Sequence, residues 1–279
     1  MTTPPPLTDL TLLHRNRLRA RSRPDHAAAM FLHGAAIADL QERLIEVNKT
    51  FTRPAVVTGF PELWLKAFPG ASCVPDADRL DLSPRAHDLV IHAMGLHWAN
   101  DPVGQMVQCR LALLPDGLFL AIFPGGQTLS ELRMCLAEAE SAVTGGLSPR
   151  VLPMAEIRNL GGLLQRAGFA LPVADSFTTT ATYASLSDLM ADLRAMGENN
   201  ALEARLRRPS KRAIFSKAAA IYSEVHRVEV DRIKATFELI CLTGWAPHES
   251  QQTPLRPGSA KQRLAEALMV AEHPFPSHG

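Results

Sequence analysis

Histidine is the residue type in this chain best suited to metal binding, and three histidines recur at a regular interval. His87, His92 and His97 are spaced by five residues. One face of a helix repeats at three and four residues, and one face of a strand repeats at two. An interval of five fits neither, so the pattern predicts no metal site at these histidines.

The cysteines show no spacing typical of a zinc site. They are scattered along the chain, without a Cys-x-x-Cys motif, at Cys73, Cys109, Cys135 and Cys241. Scattered cysteines indicate a reducing compartment and argue against structural zinc.

Composition narrows the class of protein. The chain has 279 residues, of which 46% are apolar and 20% charged. This length and balance suit one large α/β domain or two small ones with a real core. The net charge of +1 predicts no nucleic-acid partner. No apolar run approaches the roughly 18 residues that a transmembrane helix needs.

Apolar runs and helical periodicity define the elements that would position a site. Short β-branched runs predict strands, and repeats at three and four residues predict helices. The predicted strands are 54–59, a short one within 73–81, 88–94, 118–123, 171–183 and 235–245. The predicted helices are 10–49, 62–68, 101–114, 128–142, 154–167, 185–196, 210–227 and a short one at 260–270. Pro115, Asp116 and Gly117 predict a turn that ends the helix before them.

Strands that alternate with amphipathic helices predict a mainly parallel sheet covered on both faces. Such sheets bind ligands beyond the carboxyl ends of their strands. The loops of interest are therefore those that follow Val57, Met94 and Phe123. Asn100 and Asp101, after the second of these loops, are predicted to cap the next helix.

Two long segments carry a resemblance to a known family. Residues 88–101 read DLVIHAMGLHWAND, and residues 113–133 read LLPDGLFLAIFPGGQTLSELR. They resemble the fourth and fifth strands of class I methyltransferases with an LHW-x-ND signature. Two relatives share that signature, the malonyl-carrier-protein methyltransferase of biotin synthesis and the methyltransferase-like assembly factor of respiratory complex I.

The assembly factor is the nearer of the two by further motifs. Its GG-x-TL-x-ELR pattern is similar to residues 125–133, and its later segments are similar to 188–200 (DLMADLRAMGENN) and 243–251 (TGWAPHESQ). The resemblance covers roughly residues 15–260. It implies the Rossmann-like class I fold, with a seven-stranded sheet, helices on both faces and an antiparallel last strand.

The resemblance also implies a cofactor, S-adenosylmethionine, and places its site. Class I enzymes hold it with a glycine-rich loop after the first strand, an acidic residue after the second strand and the loop after the fourth. The first loop corresponds here to Thr58 and Gly59. Asp76 or Asp78 would hold the ribose hydroxyls. The remaining predicted cofactor residues are Met94, Gly95, Leu96, His97 and Trp98. For His97 and Trp98, a packed aromatic corner is the alternative to a pocket wall.

The glycine-rich loop departs from the family pattern. Several glycines are expected there because the backbone must approach the cofactor closely. In this chain Gly59 alone remains, and it is followed by Phe60 and Pro61. We therefore expect that cofactor binding is either retained in altered form or lost.

A second group of residues is predicted at the substrate or partner side. Gly125 and Gly126 would allow close backbone approach to a substrate, or simply form the turn into the next helix. Glu131 and Arg133 would face the pocket, or form a solvated, salt-bridged helix face. No catalytic residue is assigned from the sequence.

The N-terminal region has two interpretations. Residues 14–23 read HRNRLRARSR, which is basic and free of acidic residues. A transit peptide has such a composition, but helical periodicity continues directly after the run, so we favour a basic first helix. The predicted location is cytoplasmic, or the mitochondrial matrix if the run is a targeting signal.

The predicted domain organisation follows from these motifs. Residues 1–50 are an N-terminal helical segment packed on the core. Residues 51–254 are the methyltransferase-like domain, with a helical insertion at about 185–230, and residues 255–279 are a polar tail.

Three functions are open at this point. The first is S-adenosylmethionine-dependent methylation of a protein or small acyl acceptor, in the assembly of respiratory complex I. The second is a protein-arginine hydroxylase type of assembly factor, and the third is a non-catalytic scaffold. The expected partner is a subunit of complex I or another protein acceptor.

Overall fold

The computed structural model describes residues 5–229 and 231–251. The chain divides into two units, Met1–Pro247 and His248–Gly279. In the described part of the second unit, Nδ1 of His248 lies 2.7 Å from Oγ of Ser250. The predicted polar tail and the predicted helix at 260–270 lie outside the described residues.

The first unit begins with helices and continues with both helices and strands. The helices are α1 (Leu10–Arg21), α2 (His26–Ala29), α3 (Phe31–Val47), α4 (Pro61–Ala67), α5 (Pro102–Ala112), α6 (Ser130–Thr144), α7 (Ile157–Arg166), α8 (Leu186–Met196) and α9 (Arg212–Val225). The strands are β1 (Pro54–Thr58), β2 (Ser72–Val74), β3 (His87–Ala93), β4 (Leu113–Gly125), β5 (Ala170–Tyr183), β6 (Arg227–Glu229) and β7 (Arg232–Trp245). The basic run at 14–23 lies largely in α1, as predicted for a basic first helix.

The seven strands form one mixed sheet. Their order is β2-β1-β3-β4-β7-β5, and β6 pairs with β7 off this path. The pairs among β2, β1, β3 and β4 are parallel, whereas β7 is antiparallel to β4, β5 and β6. The predicted seven-stranded sheet with an antiparallel last strand is confirmed.

Both faces of the sheet are covered, because alternate residues of each central strand enter different cores. In β4, Leu120 and Ile122 lie in one buried cluster with Leu40 of α3. Phe119 and Ala121 lie in a second cluster that includes Met106 of α5. This alternation explains why the central strands read as continuous apolar runs in the sequence.

The turn predicted at Pro115–Gly117 is wrong in its placement. His87 of β3 pairs with Leu113 of β4, and Leu89 of β3 pairs with Leu118 of β4. Residues 114–117 therefore form a bulge in β4 opposite a single residue of β3. Asp116, rather than the glycine, has the positive φ, at 57°. The helix before it ends at Ala112, and the strand starts at once.

Capping residues fix the helices that carry the site. Asp9 accepts a hydrogen bond from the backbone N–H of Leu12 at the start of α1. Asp101 accepts one from Gly104 at 2.8 Å, which confirms its predicted capping role. α8 ends at Gly197, whose φ of 84° lies in the left-handed region that favours glycine. None of the described helices combines the length and the apolar character that a membrane crossing requires.

Candidate functional site

Three predicted residues meet at the carboxyl ends of β1, β2 and β3. These are Gly59, Asp76 and Gly95, and we call the space they bound the cradle. A Cβ added to Gly95 would lie 2.4 Å from Oδ2 of Asp76, so glycine is required there by the carboxylate. The more distant candidate for the ribose, Asp78, is exposed. The geometry therefore favours Asp76 as the acidic residue of the cradle.

The cradle is filled by Arg17, which the sequence did not point to. Nη1 of Arg17 donates to both carboxylate oxygens of Asp76, at 2.8 and 2.9 Å. The two side chains are 7% and 8% exposed, so this is a buried ion pair. A Cβ added to Gly59 would lie 2.3 Å from Nη1 of Arg17, so the guanidinium rests directly on the backbone of Gly59.

Thr58, at the end of β1, and Phe60, in the loop after it, make further contacts next to Arg17. Oγ1 of Thr58 accepts a hydrogen bond from the backbone N–H of Phe60 at 3.2 Å. Phe60 is buried between the rings of His26 and His33. The guanidinium carbons of Arg17 and Arg21 lie 5.7 and 5.5 Å from the centre of the Phe60 ring, within cation–π range.

A nucleoside cofactor does not fit the cradle in this arrangement. Both oxygens of Asp76 are used by Arg17, and the backbone of Gly59 is covered by the same guanidinium. The two features that would hold S-adenosylmethionine are thus engaged by a side chain of α1.

The loop after β3 forms a second polar centre, next to the cradle. Met94 has a φ of 54°, which is unusual for a residue other than glycine, and it directs the chain into a short 3-10 helix, Leu96–Trp98. Nε1 of Trp98 donates to Oε2 of Glu198 at 2.8 Å, and Nε2 of His97 lies 3.1 Å from the same oxygen. Nδ1 of His97 and Oε1 of Glu198 are buried without a hydrogen-bond partner among the described residues.

Glu198 is ionised in this setting. Burial acts to raise its pKa, but the charge of His97 and its hydrogen bond, the charge of Arg17 and the hydrogen bond from Trp98 together lower the pKa to about 2. The carboxylate is therefore negative across the physiological pH range.

A cavity of about 290 Å³ opens beside His97, Trp98 and Glu198. Its walls are mainly apolar and come from α3, α6, α8, α9 and β7. The apolar residues that line it include Leu32, Leu132, Leu136, Met190, Met196 and Phe237. Two cations also line it. Arg150 is paired with Glu140 at 2.7 Å, and Arg194 is exposed. We call this space the cavity.

Gly125 and Gly126 lie against side chains of β7. A Cβ on Gly125 would lie 2.2 Å from Cδ1 of Ile240, and one on Gly126 would lie 2.1 Å from Oε2 of Glu238. Gly126 also has a φ of 49°. A side chain at either position would therefore contact β7, and the predicted substrate role of these glycines stays a prediction.

Glu131 and Arg133 bind neighbouring backbone and side-chain groups at the start of α6. Glu131 is buried and accepts from Oγ1 of Thr236 at 2.5 Å. Arg133 donates to the carbonyl of Leu152 at 3.2 Å. Glu131 and Arg133 are not among the described residues that line the cavity, although neighbouring residues are. Their part in substrate binding stays a prediction.

The histidines of the five-residue series have separate environments. Nε2 of His92 lies 2.7 Å from Oε1 of Gln105, and burial lowers the pKa of His92. Nδ1 of His87 lies 3.2 Å from the carbonyl of Arg53. Within residues 5–229 and 231–251, no group of three or more His, Cys, Asp or Glu side chains is placed to hold a metal ion.

Sequence reasoning missed two central residues, Arg17 and Glu198. Arg17 stood in a basic run interpreted as a basic first helix, and its spacing to Leu13 and Ala20 places it on the buried face of α1. Glu198 stood within the RAMGENN segment that carried part of the resemblance. A negative residue directly after a helix-ending glycine was the available signal.

Comparison with known proteins supports the resemblance. No protein-family model matches the chain. The chain is 43% identical over 180 residues to arginine-hydroxylase NDUFAF5, mitochondrial, of Dictyostelium discoideum, covering 64% of this chain and 41% of the relative. It is 37% identical over 201 residues to the human protein of that name, covering 71% and 57%.

Other relatives lie further away. A malonyl-[acyl-carrier protein] O-methyltransferase of Xylella fastidiosa is 32% identical over 178 residues, covering 64% of this chain and 58% of the relative. The chain thus spans about half the length of these relatives. Among solved structures, phosphoethanolamine N-methyltransferase 2 of Haemonchus contortus is 14% identical with a TM-score of 0.38, covering 72% of this chain and 50% of the other. The resemblance is confirmed: this chain is similar in sequence to the arginine-hydroxylase NDUFAF5 proteins and, at lower identity, to malonyl-[acyl-carrier protein] O-methyltransferases.

Proposed function

We propose that this protein is an assembly factor of the complex I type that binds an arginine side chain of a partner protein in the cavity. The observation that carries the proposal is the ionised Glu198, which lines an otherwise mainly apolar cavity at the carboxyl end of the sheet. The names of the related proteins support arginine as the group bound.

The walls of the cavity suit the two parts of an arginine. Its aliphatic stem would pack on apolar side chains such as Leu132 and Met196. Its guanidinium is a planar fork that recognises carboxylates and stacks on aromatic rings. Glu198 supplies the carboxylate, and Trp98 and Phe237 supply rings in the same lining.

Glu198 also has hydrogen-bonding capacity to spare. Its Oε2 accepts from Trp98, while its Oε1 accepts from none of the described residues. An ionised carboxylate can accept about four hydrogen bonds. A guanidinium that bound this carboxylate would add charge-assisted hydrogen bonds, which are stronger than neutral ones.

The indole of Trp98 provides a direct readout for a test. Because its Nε1–H donates to Glu198, the indole NMR signal should shift when a guanidinium binds that carboxylate. The probes are a capped Gly-Arg-Gly peptide and the same peptide with citrulline, a neutral group of nearly the same shape. Replacement of Trp98 by Phe assigns the signal among the three tryptophans.

We expect the arginine peptide, and not the citrulline peptide, to shift the Trp98 signal in a saturable way. Glu198→Gln should abolish the shift, and Glu224→Gln, an exposed carboxylate on α9, should retain it. Equal shifts with both peptides, or an unchanged response in Glu198→Gln, would contradict the proposal.

Methylation is the second candidate function, and the identity to malonyl-[acyl-carrier protein] O-methyltransferases favours it. It would require S-adenosylmethionine in the cradle and a protein or small acyl acceptor in the cavity. The Arg17–Asp76 pair weighs against it.

The names of the relatives bear on location. The Dictyostelium and human relatives are named mitochondrial, which supports the mitochondrial matrix, and the bacterial cytoplasm is the alternative.

A further inference from the structure

We infer that α1 closes the cradle from within, so that Arg17 occupies the place of a nucleoside cofactor and the folded chain binds neither S-adenosylmethionine nor S-adenosylhomocysteine. The inference concerns the cradle alone and does not depend on arginine binding in the cavity.

The first step is steric. The guanidinium of Arg17 touches the backbone of Gly59 so closely that even a single carbon added there would lie 2.3 Å from Nη1. The stem of the same side chain passes Gly197, where an added Cβ would lie 3.2 Å from Cγ of Arg17. Arg17 is thus enclosed between the loop after β1 and the end of α8, and a ligand cannot share that space.

The second step is electrostatic. Asp76 gives both oxygens to Arg17, and the pair is almost fully buried. If a ribose took over the carboxylate, the guanidinium would remain buried without its counter-charge, which is strongly unfavourable. S-adenosylmethionine also carries a positive sulfonium, which Arg17 and Arg21 would repel at short range.

α1 is held in place at both of its ends. Near its C-terminus, Nη2 of Arg21 donates to the carbonyl of Gly59 at 2.5 Å. At its N-terminus, the carboxylate of Asp9 pairs with Arg205 at 2.9 Å. The backbone N–H of Asp9 also donates to the carbonyl of Ala201 at 2.8 Å. The closure therefore belongs to the folded unit rather than to a loosely attached segment.

Calorimetric titration with both ligands tests the inference on the full chain. The variants are Arg17→Ala, which opens the cradle, and Arg19→Ala, which removes one positive charge from the exposed face of the same helix. We expect neither the unmodified protein nor Arg19→Ala to bind either ligand at about 1 mM. Arg17→Ala should bind S-adenosylhomocysteine at least roughly tenfold more tightly than the unmodified protein.

Loss of Arg17 leaves Asp76 without its partner, so a second variant guards against misfolding. Arg17→Gln keeps a hydrogen-bond donor for Asp76 on a shorter side chain, and circular dichroism and thermal unfolding establish that each variant is folded. Binding of either ligand to the unmodified protein with a Kd below about 1 mM would overturn the inference. So would folded Arg17→Ala and Arg17→Gln proteins that bind no more tightly than the unmodified chain.

Discussion

The Arg17–Asp76 pair makes a quantitative prediction about stability, because both partners are buried. Arg17→Met keeps the length of the stem but leaves the Asp76 carboxylate without its counter-charge, and breaking a buried pair in this way costs about 3–5 kcal/mol. Nε and Nη2 of Arg17 have no hydrogen-bond partner among the described residues, so the native pair already carries some desolvation cost. We therefore expect the lower end of that range.

The coupling between the two residues separates a charge interaction from simple packing. Asp76→Asn alone leaves a buried guanidinium, whereas the double variant Arg17→Met/Asp76→Asn leaves no charge at all. The double variant should thus be less destabilised than the sum of the single variants, by roughly 1–3 kcal/mol. Urea unfolding of all four proteins at neutral pH measures this coupling. Additive effects, with a coupling below about 0.5 kcal/mol, would refute the argument that the pair is held by charge.

Three further variants test other parts of the fold. Hydrogen bonds from Arg150 lower the pKa of Glu140 from 4.5 to about 2, so Glu140 stabilises the fold above pH 4.5 and this contribution is lost as the pH falls toward 2. Between pH 5 and 3, the free energy of unfolding should fall less in Glu140→Gln than in the unmodified protein, by an amount on the order of 2 kcal/mol. Urea unfolding across that range measures the difference. Gly95→Ala should destabilise the protein by roughly 1–3 kcal/mol, because its Cβ would meet the carboxylate of Asp76. In Gly34→Ala, the new carbon in α3 would have nothing within 4 Å, so this variant should be about 0.5–1 kcal/mol more stable than the unmodified protein. Thermal unfolding measures both variants. A Gly34→Ala protein less stable than Gly95→Ala would contradict these expectations.

Much of the fold could be predicted because strands buried on both faces leave a strong signal. The runs that became β1, β3 and β4 contain buried apolar stretches at 55–57, 89–91 and 118–123. β6 was missed because all three of its residues are exposed and no apolar pattern marks it. The bulge in β4 was mistaken for a turn because Pro115 and Gly117 carry the chemistry of a turn in either setting.

The candidate site was predictable only in part, because its polar residues meet across long distances in sequence. Sheet topology places Gly59, Asp76 and Gly95 together, and the rule for parallel sheets anticipates this. The partner of Asp76 lies 59 residues earlier, and that of Trp98 lies 100 residues later. No local pattern encodes such contacts, so the pairing of Arg17 with Asp76 and of Glu198 with Trp98 could be found only from the tertiary structure.

Gly59 is the single glycine left in the loop after β1. It is needed there for a reason that differs from the one implied by the glycine-rich loop of class I methyltransferases. A glycine-rich loop is needed where a ligand approaches the backbone, yet here it is Arg17 that makes the approach to Gly59. Phe60 can be large because its ring packs against His26 and His33. Gly59→Ala should therefore destabilise the unmodified protein by roughly 1–3 kcal/mol, and cost clearly less in an Arg17→Ala background, because the clash is then gone. An equal cost in both backgrounds, measured by urea unfolding, would mean that Gly59 is required by something other than Arg17.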